Sequence, residues 1–347
     1  MESVQIKDIE PFNDTFFKHN LLRGCFYTAL FTVIRFSGRS VLPFLVNEIY
    51  LYDYDENKFN LTIKNKPLKA DKEIMDSEGL RADSKLRSDD LIKDIELAVS
   101  NNRPVVAVID CYYDPTRKDA YMKEHLAHWT LTYGFNCDEE TLDIMHHVNK
   151  ASLYYEKASA GYNHMVESYN GFFENMYEPV KMNLENGIDF PTYYEYYFDK
   201  GSCGHAASVY LATYAYNIIL NKCLIFDKIQ ELNHFIDDAR KLIVNPDTLS
   251  ENTDKLMSII NDIITIKRVE LYTISELKQI QVETVEILDN IVKDWEFVRA
   301  MIVKYKFINI YNRVSFDSVS DRLGKIVCSE YKYYASLASE LQKFIKK

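Results

Sequence analysis

A chain of 347 residues with 47% hydrophobic and 27% charged residues holds enough apolar material for a sizeable core, which excludes extended disorder. Its net charge of −11 argues against nucleic acid as a partner, because phosphate contacts need a basic surface, and mildly favours amine-bearing over anionic small substrates. The six cysteines (Cys25, Cys111, Cys137, Cys203, Cys223 and Cys328) show no CxxC spacing, which excludes a zinc ribbon and a disulfide framework. With no uninterrupted run of about 18 apolar residues and no secretory h-region, the expectation is a cytoplasmic protein with reduced thiols and no membrane partner.

Residues 25–36, CFYTALFTVIRF, form an apolar run that stops at Ser37-Gly38 and reads as a buried helix. Segments 47–54 and 58–63 flank the Asp-Glu-Asn turn at 55–57 and read as a strand pair. An amphipathic helix is expected over 89–99, and a short buried strand, PVVAVI, over 104–109. Two further strands, 128–133 and 141–147, are joined by a turn around 136–139. Beyond about residue 150 the strand pattern stops, and after Gly204 proline and glycine shrink to Pro246 and Gly324. Helical periodicity then runs through 206–221, 225–243, 252–266, 280–298 and 318–345. The expected fold class is α+β: a domain over 1–150 with a largely antiparallel sheet, then an α-helical domain over 151–347.

Cys25 follows Gly24 and opens the apolar helix, where free first-turn N–H groups favour a thiolate and line an oxyanion site. Cysteine is also a common buried hydrophobe, so the position alone has a purely structural explanation. His128 heads the strand HWTLTYGF and, taken alone, reads as a satisfied core or surface histidine; taken together, Cys at a helix start, a strand, then His leading a second strand is the order of a Cys–His hydrolase or transferase. Asn20 and Gly24 are the candidates for the oxyanion or substrate side. Cys203 and His205, in GSCGH, are too close in sequence for an in-line pair, and the small residues there more simply permit tight packing. His125, His128, His146 and His147 lack an HExxH arrangement, and His125 and His128 alternate to opposite strand faces, so no metal is expected.

The stretch 19–50, HNLLRGCFYTALFTVIRFSGRSVLPFLVNEIY, together with 104–140, PVVAVIDCYYDPTRKDAYMKEHLAHWTLTYGFNCDEE, resembles the butirosin biosynthesis protein H family. The resemblance covers about the first 150 residues and implies a papain-like core. It implies transfer of an acyl group from a carrier-protein thioester to Cys25 and then to an amine of a small molecule, with His128 as general base. No bound cofactor is implied beyond the phosphopantetheine arm of the acyl carrier protein, and a homodimer is left open. The family tends to place Asp at the end of the strand after the His strand, where this chain reads TLDIMHHVN. Asp110, which ends the preceding strand, and His146 or His147 are the candidates to orient His128, while Asp143 alternates away. Arg117, Lys118 and Lys123 form a basic loop suited to docking an acidic carrier. The competing readings are a cysteine peptidase or amidase, with water in place of the amine, and a non-catalytic binding protein on the same fold.

Overall fold

The computed structural model describes residues 3–12, 24–149, 155–183, 189–199 and 204–345. In chain order the elements are β1 (Ser3–Gln5), α1 (Cys25–Phe36), α2 (Leu42–Leu45), β2 (Glu48–Asp55), β3 (Asn60–Pro67), α3 (Asp71–Ser77), β4 (Leu80–Lys85), α4 (Leu91–Ser100), β5 (Val105–Asp110), β6 (Ala127–Asn136), β7 (Thr141–His147), β8 (Tyr155–Gly161), α5 (Tyr162–Gly171), α6 (Tyr177–Asn183), β9 (Tyr193–Phe198), α7 (Ala207–Leu220), α8 (Lys222–Ile243), α9 (Pro246–Glu276), α10 (Val282–Ile308) and α11 (Arg313–Ile345). They divide into two compact units, Met1–Val41 with Lys72–Gly204, and Leu42–Asp71 with His205–Lys347. An antiparallel sheet in the N-terminal part and a helical C-terminal region agree with the expected α+β class.

The first unit is built on a sheet ordered β4-β9-β5-β6-β7-β8, with every pairing antiparallel. β1 lies beside Gly134–Asn136 of β6, beyond the point where pairing with β5 ends at Thr132. β5, VVAVID, is buried at every position, as a central strand covered on both faces requires. α4 opens under an Asp90 cap, whose carboxylate accepts the Lys93 N–H, and buries Leu91, Ile95, Ala98 and Val99 on one face.

The unit boundary differs from the expected break at residue 150. β8 and β9 belong to the sheet of the first unit, and the β2–β3 hairpin belongs to the helical unit. The physical reason for the second is aromatic packing. The Tyr54 and Phe59 rings of the hairpin lie 5.7 and 5.5 Å from the Phe235 ring of α8, and Tyr54 Oη donates to Asp238 at 2.9 Å.

In the second unit α8 to α11 carry apolar faces into one core around Trp295, Leu232, Ile260 and Leu337, all essentially inaccessible. Asn245 caps α9 ahead of Pro246, which fills the first helical turn where its missing N–H costs nothing. A charged cluster sits inside this core. Lys267 Nζ donates at 2.8 Å to both Glu270 Oε2 and Glu330 Oε2. Tyr52 Oη donates to Glu330 at 3.1 Å and Tyr334 Oη donates to Glu270. Among the described residues no single helix is long and apolar enough to cross a membrane, although α7 and α8 together, bent by 65°, pass on length and composition.

Candidate active site

Gly24 has φ 84° and ψ 171°, a conformation an L residue adopts only with strain, and it turns the chain into α1 with Cys25 as the first helical residue. The next ring fixes that start against the sheet: Phe26 lies 5.0 Å from Trp129 of β6 and 5.4 Å from Tyr194 of β9. Cys25 Sγ accepts the Trp129 N–H at 3.2 Å. The sulfur thus sits beside the main chain that follows His128. Burial pushes the Cys25 thiol up; the Trp129, Cys25 and Phe26 amides and the Arg117 charge pull it down and do not overcome the burial.

His128 is buried, and its Nε2 accepts the backbone N–H of His147 at 3.4 Å. A neutral ring that accepts at Nε2 carries its proton on Nδ1. Burial, the Arg117 charge and the two neighbouring imidazoles hold its pKa well below the ordinary histidine value. Among the described residues no hydrogen bond joins Cys25 to His128. At neutral pH the resting site therefore holds a neutral thiol and a neutral imidazole, not an ion pair. Alkylation of Cys25 by iodoacetamide is accordingly expected to rise only as pH climbs beyond the ordinary thiol range, mapped residue by residue by mass spectrometry. A reactive plateau between pH 5 and 7 would show a preformed thiolate and refute this description.

The group hydrogen-bonded to the His128 ring is the main-chain amide of His147, not a side chain of any of the three candidates. Asp110 does not orient His128. It pairs in register with Ala127, while His128 pairs with Ile109, so strand alternation sends the two side chains to opposite faces. The Asp110 carboxylate is fully buried and fully used: Oδ1 accepts the Tyr112 and Leu126 N–H groups at 3.0 and 3.2 Å, and Oδ2 lies 2.6 Å from His125 Nδ1. This is the one carboxylate–imidazole hydrogen bond among the described residues. His125 is solvent-exposed and stacks on Tyr112 at 4.5 Å.

His146 forms a different chain. Its Nε2 lies 3.1 Å from Thr116 Oγ1, which in turn donates to Asp114 Oδ1 at 2.6 Å. The hydroxyl proton is spent on Asp114, so Nε2 carries the hydrogen and Nδ1 is bare. That nitrogen and Asp114 Oδ2, 3.6 Å apart, are both buried without a hydrogen-bond partner. His146 and His128 rings are 6.1 Å apart, with no hydrogen bond between them. The His147 ring packs on Tyr155 at 5.2 Å, and burial, His146 and Arg117 lower its pKa to about 4.

Arg117 is the second correction. It is 1% exposed and points inward, bidentate to Asp119 at 3.1 Å through Nε and Nη2, with Nη1 donating to Cys111 Sγ at 3.3 Å. A guanidinium so enclosed has no surface to dock a carrier; its charge acts instead on Cys25, Cys111 and the three imidazoles. Lys118 and Lys123 are exposed, with Lys123 Nζ donating to the Lys118 carbonyl at 2.6 Å. The loop holding Arg117 is anchored by Tyr113, whose ring packs so closely on Gly171 of α5 that a Cβ there would collide with it.

Asn20 and Cys203 lie outside the described residues. Among the described residues no group of three or more His, Cys, Asp or Glu side chains is placed to hold a metal ion. A cavity of about 670 Å³ in this unit is lined by Val33, Phe36, Arg103, Tyr196 and Phe198, at the opposite end of α1 from Cys25. No family model and no curated protein matches the sequence.

Proposed function

We propose that the first unit is a papain-like, cysteine-dependent acyltransferase in which Cys25 is the nucleophile and His128 its base. The observation that carries this reading is the seating of Cys25 Sγ on the Trp129 amide, directly after His128, at the start of a helix and within the field of the buried Arg117. In the proposed cycle Cys25 loses its proton to His128 and attacks the thioester carbonyl of an acyl group carried on phosphopantetheine. The carbon–sulfur bond to the carrier breaks, and the departing thiol takes the proton from His128. An amine of a small molecule then attacks the acyl-Cys25, gives up its proton to the same imidazole, and the Cys25 thiolate leaves to be reprotonated. First-turn amides of α1 face the sulfur and suit the developing oxyanion.

His128 Nε2 must exchange the His147 N–H for a proton if it is to act as base, so donor binding has to remodel this contact. The same contact is what favours the second reading, a non-catalytic binding protein in which the Cys25–Trp129 and His128–His147 bonds are structural. The test is incubation with an acyl-pantetheine thioester followed by adduct mapping. An acyl group on Cys25, released on adding an amine, is the expected result; an adduct on Cys203 or Cys111 with Cys25 unmodified sinks the assignment. Release at the same rate by water alone reassigns the chemistry to hydrolysis.

A further inference from the structure

In the sheet of the first unit the ladder between β5 and β9 stops one rung early. The two strands pair from Ala107 to Val105, and the last bond between them runs from the Tyr196 N–H to the Pro104 carbonyl at 3.1 Å. Pro104 has no N–H, and Asn102 before it has a left-handed φ of 57°, so the chain turns away from β9 there. β9 and β4 continue side by side as far as Phe198 and Leu80. Backbone groups alternate in direction along a strand. The Tyr196 N–H points to β5, and the Asp199 N–H points the other way, to the Gly79 carbonyl at 2.9 Å. Phe198 therefore presents its N–H and C=O on the β5 side, and among the described residues no hydrogen bond reaches either.

An open strand end is ordinary where bulk water covers it. Here the cavity of about 670 Å³ occupies the gap, lined on one side by Asn102, Arg103 and Pro104 and on the other by Tyr196 and Phe198. The α1 side is apolar. Phe26 packs on Tyr194 and Tyr194 stacks on Tyr196, so α1 covers the face of β9 that carries Tyr196 and Phe198, and Val33 and Phe36 complete that wall. The charges around the cavity are committed. Arg103 reaches Asp83 at 3.0 Å and Glu195 at 3.6 Å and lies over the Tyr197 ring at 4.3 Å. Arg81 is shared by Asp76 and Asp199. Arg39 lies over Phe198 at 5.4 Å, and Arg35 is turned to Phe12. Arg39, Arg81 and Arg103 thus stand among Asp76, Asp83, Glu195 and Asp199, a balance that gives an anionic ligand no advantage. What the cavity offers is one main-chain donor and one main-chain acceptor side by side, next to an apolar wall.

We propose that this cavity binds an extended secondary amide, one residue of which takes the empty rung opposite Phe198. The N–H of that residue donates to the Phe198 carbonyl, and its C=O accepts the Phe198 N–H. Side chains opposed on an antiparallel rung share a face, so the ligand's side chain falls with Phe198 against Val33 and Phe36, which selects an apolar group. The site lies at the far end of α1 from Cys25 and does not depend on the chemistry there.

The probe is N-acetyl-para-fluorophenylalanine methylamide, titrated with the full chain and followed by fluorine NMR. Saturable binding is expected. Methylating the nitrogen of its central residue removes the donor of the rung and is expected to weaken binding by about tenfold or more. Converting the terminal methylamide to a dimethylamide leaves the rung intact, and affinity is expected to stay within about twofold. On the protein side Phe198→Ala and Phe198→Pro both lose the ring, but only the proline loses the N–H, which serves no bond in the fold. Phe198→Pro is expected to bind about tenfold or more weakly than Phe198→Ala, with circular dichroism matched between them. Pantetheine, itself a chain of secondary amides, separates two sources of such a ligand: displacement of the probe assigns the site to a carrier arm, and an undisturbed probe assigns it to a peptide. Absence of saturable binding overturns the proposal. So does equal affinity for the two nitrogen-substituted probes, or equal affinity of Phe198→Ala and Phe198→Pro, since either places the ligand off the strand edge.

Discussion

Cys25→Ala is expected to abolish acyl-enzyme formation completely, the largest functional effect of any single substitution in the first unit. Cys111, the other thiol of the cluster, is inaccessible and pushed well above the ordinary thiol range by burial, so it cannot take over the acyl group. His128→Ala is expected to lower the acylation rate by about 10²–10⁴-fold, the usual worth of a positioned general base, with the thiol still present to react slowly. Two further variants separate the imidazoles. His146→Ala removes a ring that has no hydrogen bond to His128, and a modest loss is expected. His125→Ala removes the one imidazole held by a carboxylate. If that variant, rather than His128→Ala, stops transfer, the base is the Asp110–His125 pair and the assignment of His128 fails. Circular dichroism matched across the series keeps misfolding apart from lost chemistry.

The start of α1 at Cys25 and the strands around residues 105–110, 127–136 and 141–147 were legible because their signals are local: an apolar run closed by Ser-Gly, an unbroken β-branched run, and alternation broken by turn residues. β8 and β9 were not. β8, YEKASAG, is an edge strand with only Tyr155 and Ala160 buried, so it carries no clean period-2 pattern. β9, YYEYYF, buries Tyr193 and Tyr196 and leaves Tyr194 and Tyr197 half exposed, and tyrosine has the same letter in both roles. The β2–β3 hairpin was visible as a hairpin, but its membership of the helical unit rests on rings more than 170 residues away in sequence.

The site shows the same division between local and distant causes. Cys25 and His128 announced themselves by position in their elements. The group that contacts the His128 ring did not, because it is the main-chain amide of His147, and a search for a third side chain cannot find an amide that every residue except proline possesses. Arg117 was misread for a related reason. Between Thr116 and Lys118, in a loop that also holds Lys123, it has the sequence context of a solvated turn. What turns it inward is Cys111, six residues earlier, and Asp119, two residues later, once Tyr113 has packed on Gly171.

In the second unit the largest stability effect is expected for Lys267→Met. Lys267 is inaccessible, and among the described residues its ammonium is the only cation bonded to the buried carboxylates of Glu270 and Glu330; the attraction of both carboxylates raises its pKa against the cost of burial. Removing it leaves two carboxylates facing each other in a low-dielectric core, a loss of about 3–5 kcal/mol. Burial already raises Glu330 above the usual carboxylate value, so the folded state binds that proton more tightly than the unfolded chain. Loss of Lys267 raises it further. The deficit of Lys267→Met should therefore be greatest at neutral and alkaline pH and shrink as pH falls through the raised Glu330 value towards the ordinary carboxylate range. Adding Glu330→Gln, which removes one charge and keeps its shape, should recover part of the loss at pH 7 and flatten the pH dependence. The measurement is denaturant unfolding in a Trp129→Phe background, so that Trp295, buried in α10, reports the second unit alone. A Lys267→Met variant that unfolds at the parent's midpoint across this pH range would mean that water or a proton already neutralises the cluster, and the ammonium is not what holds it.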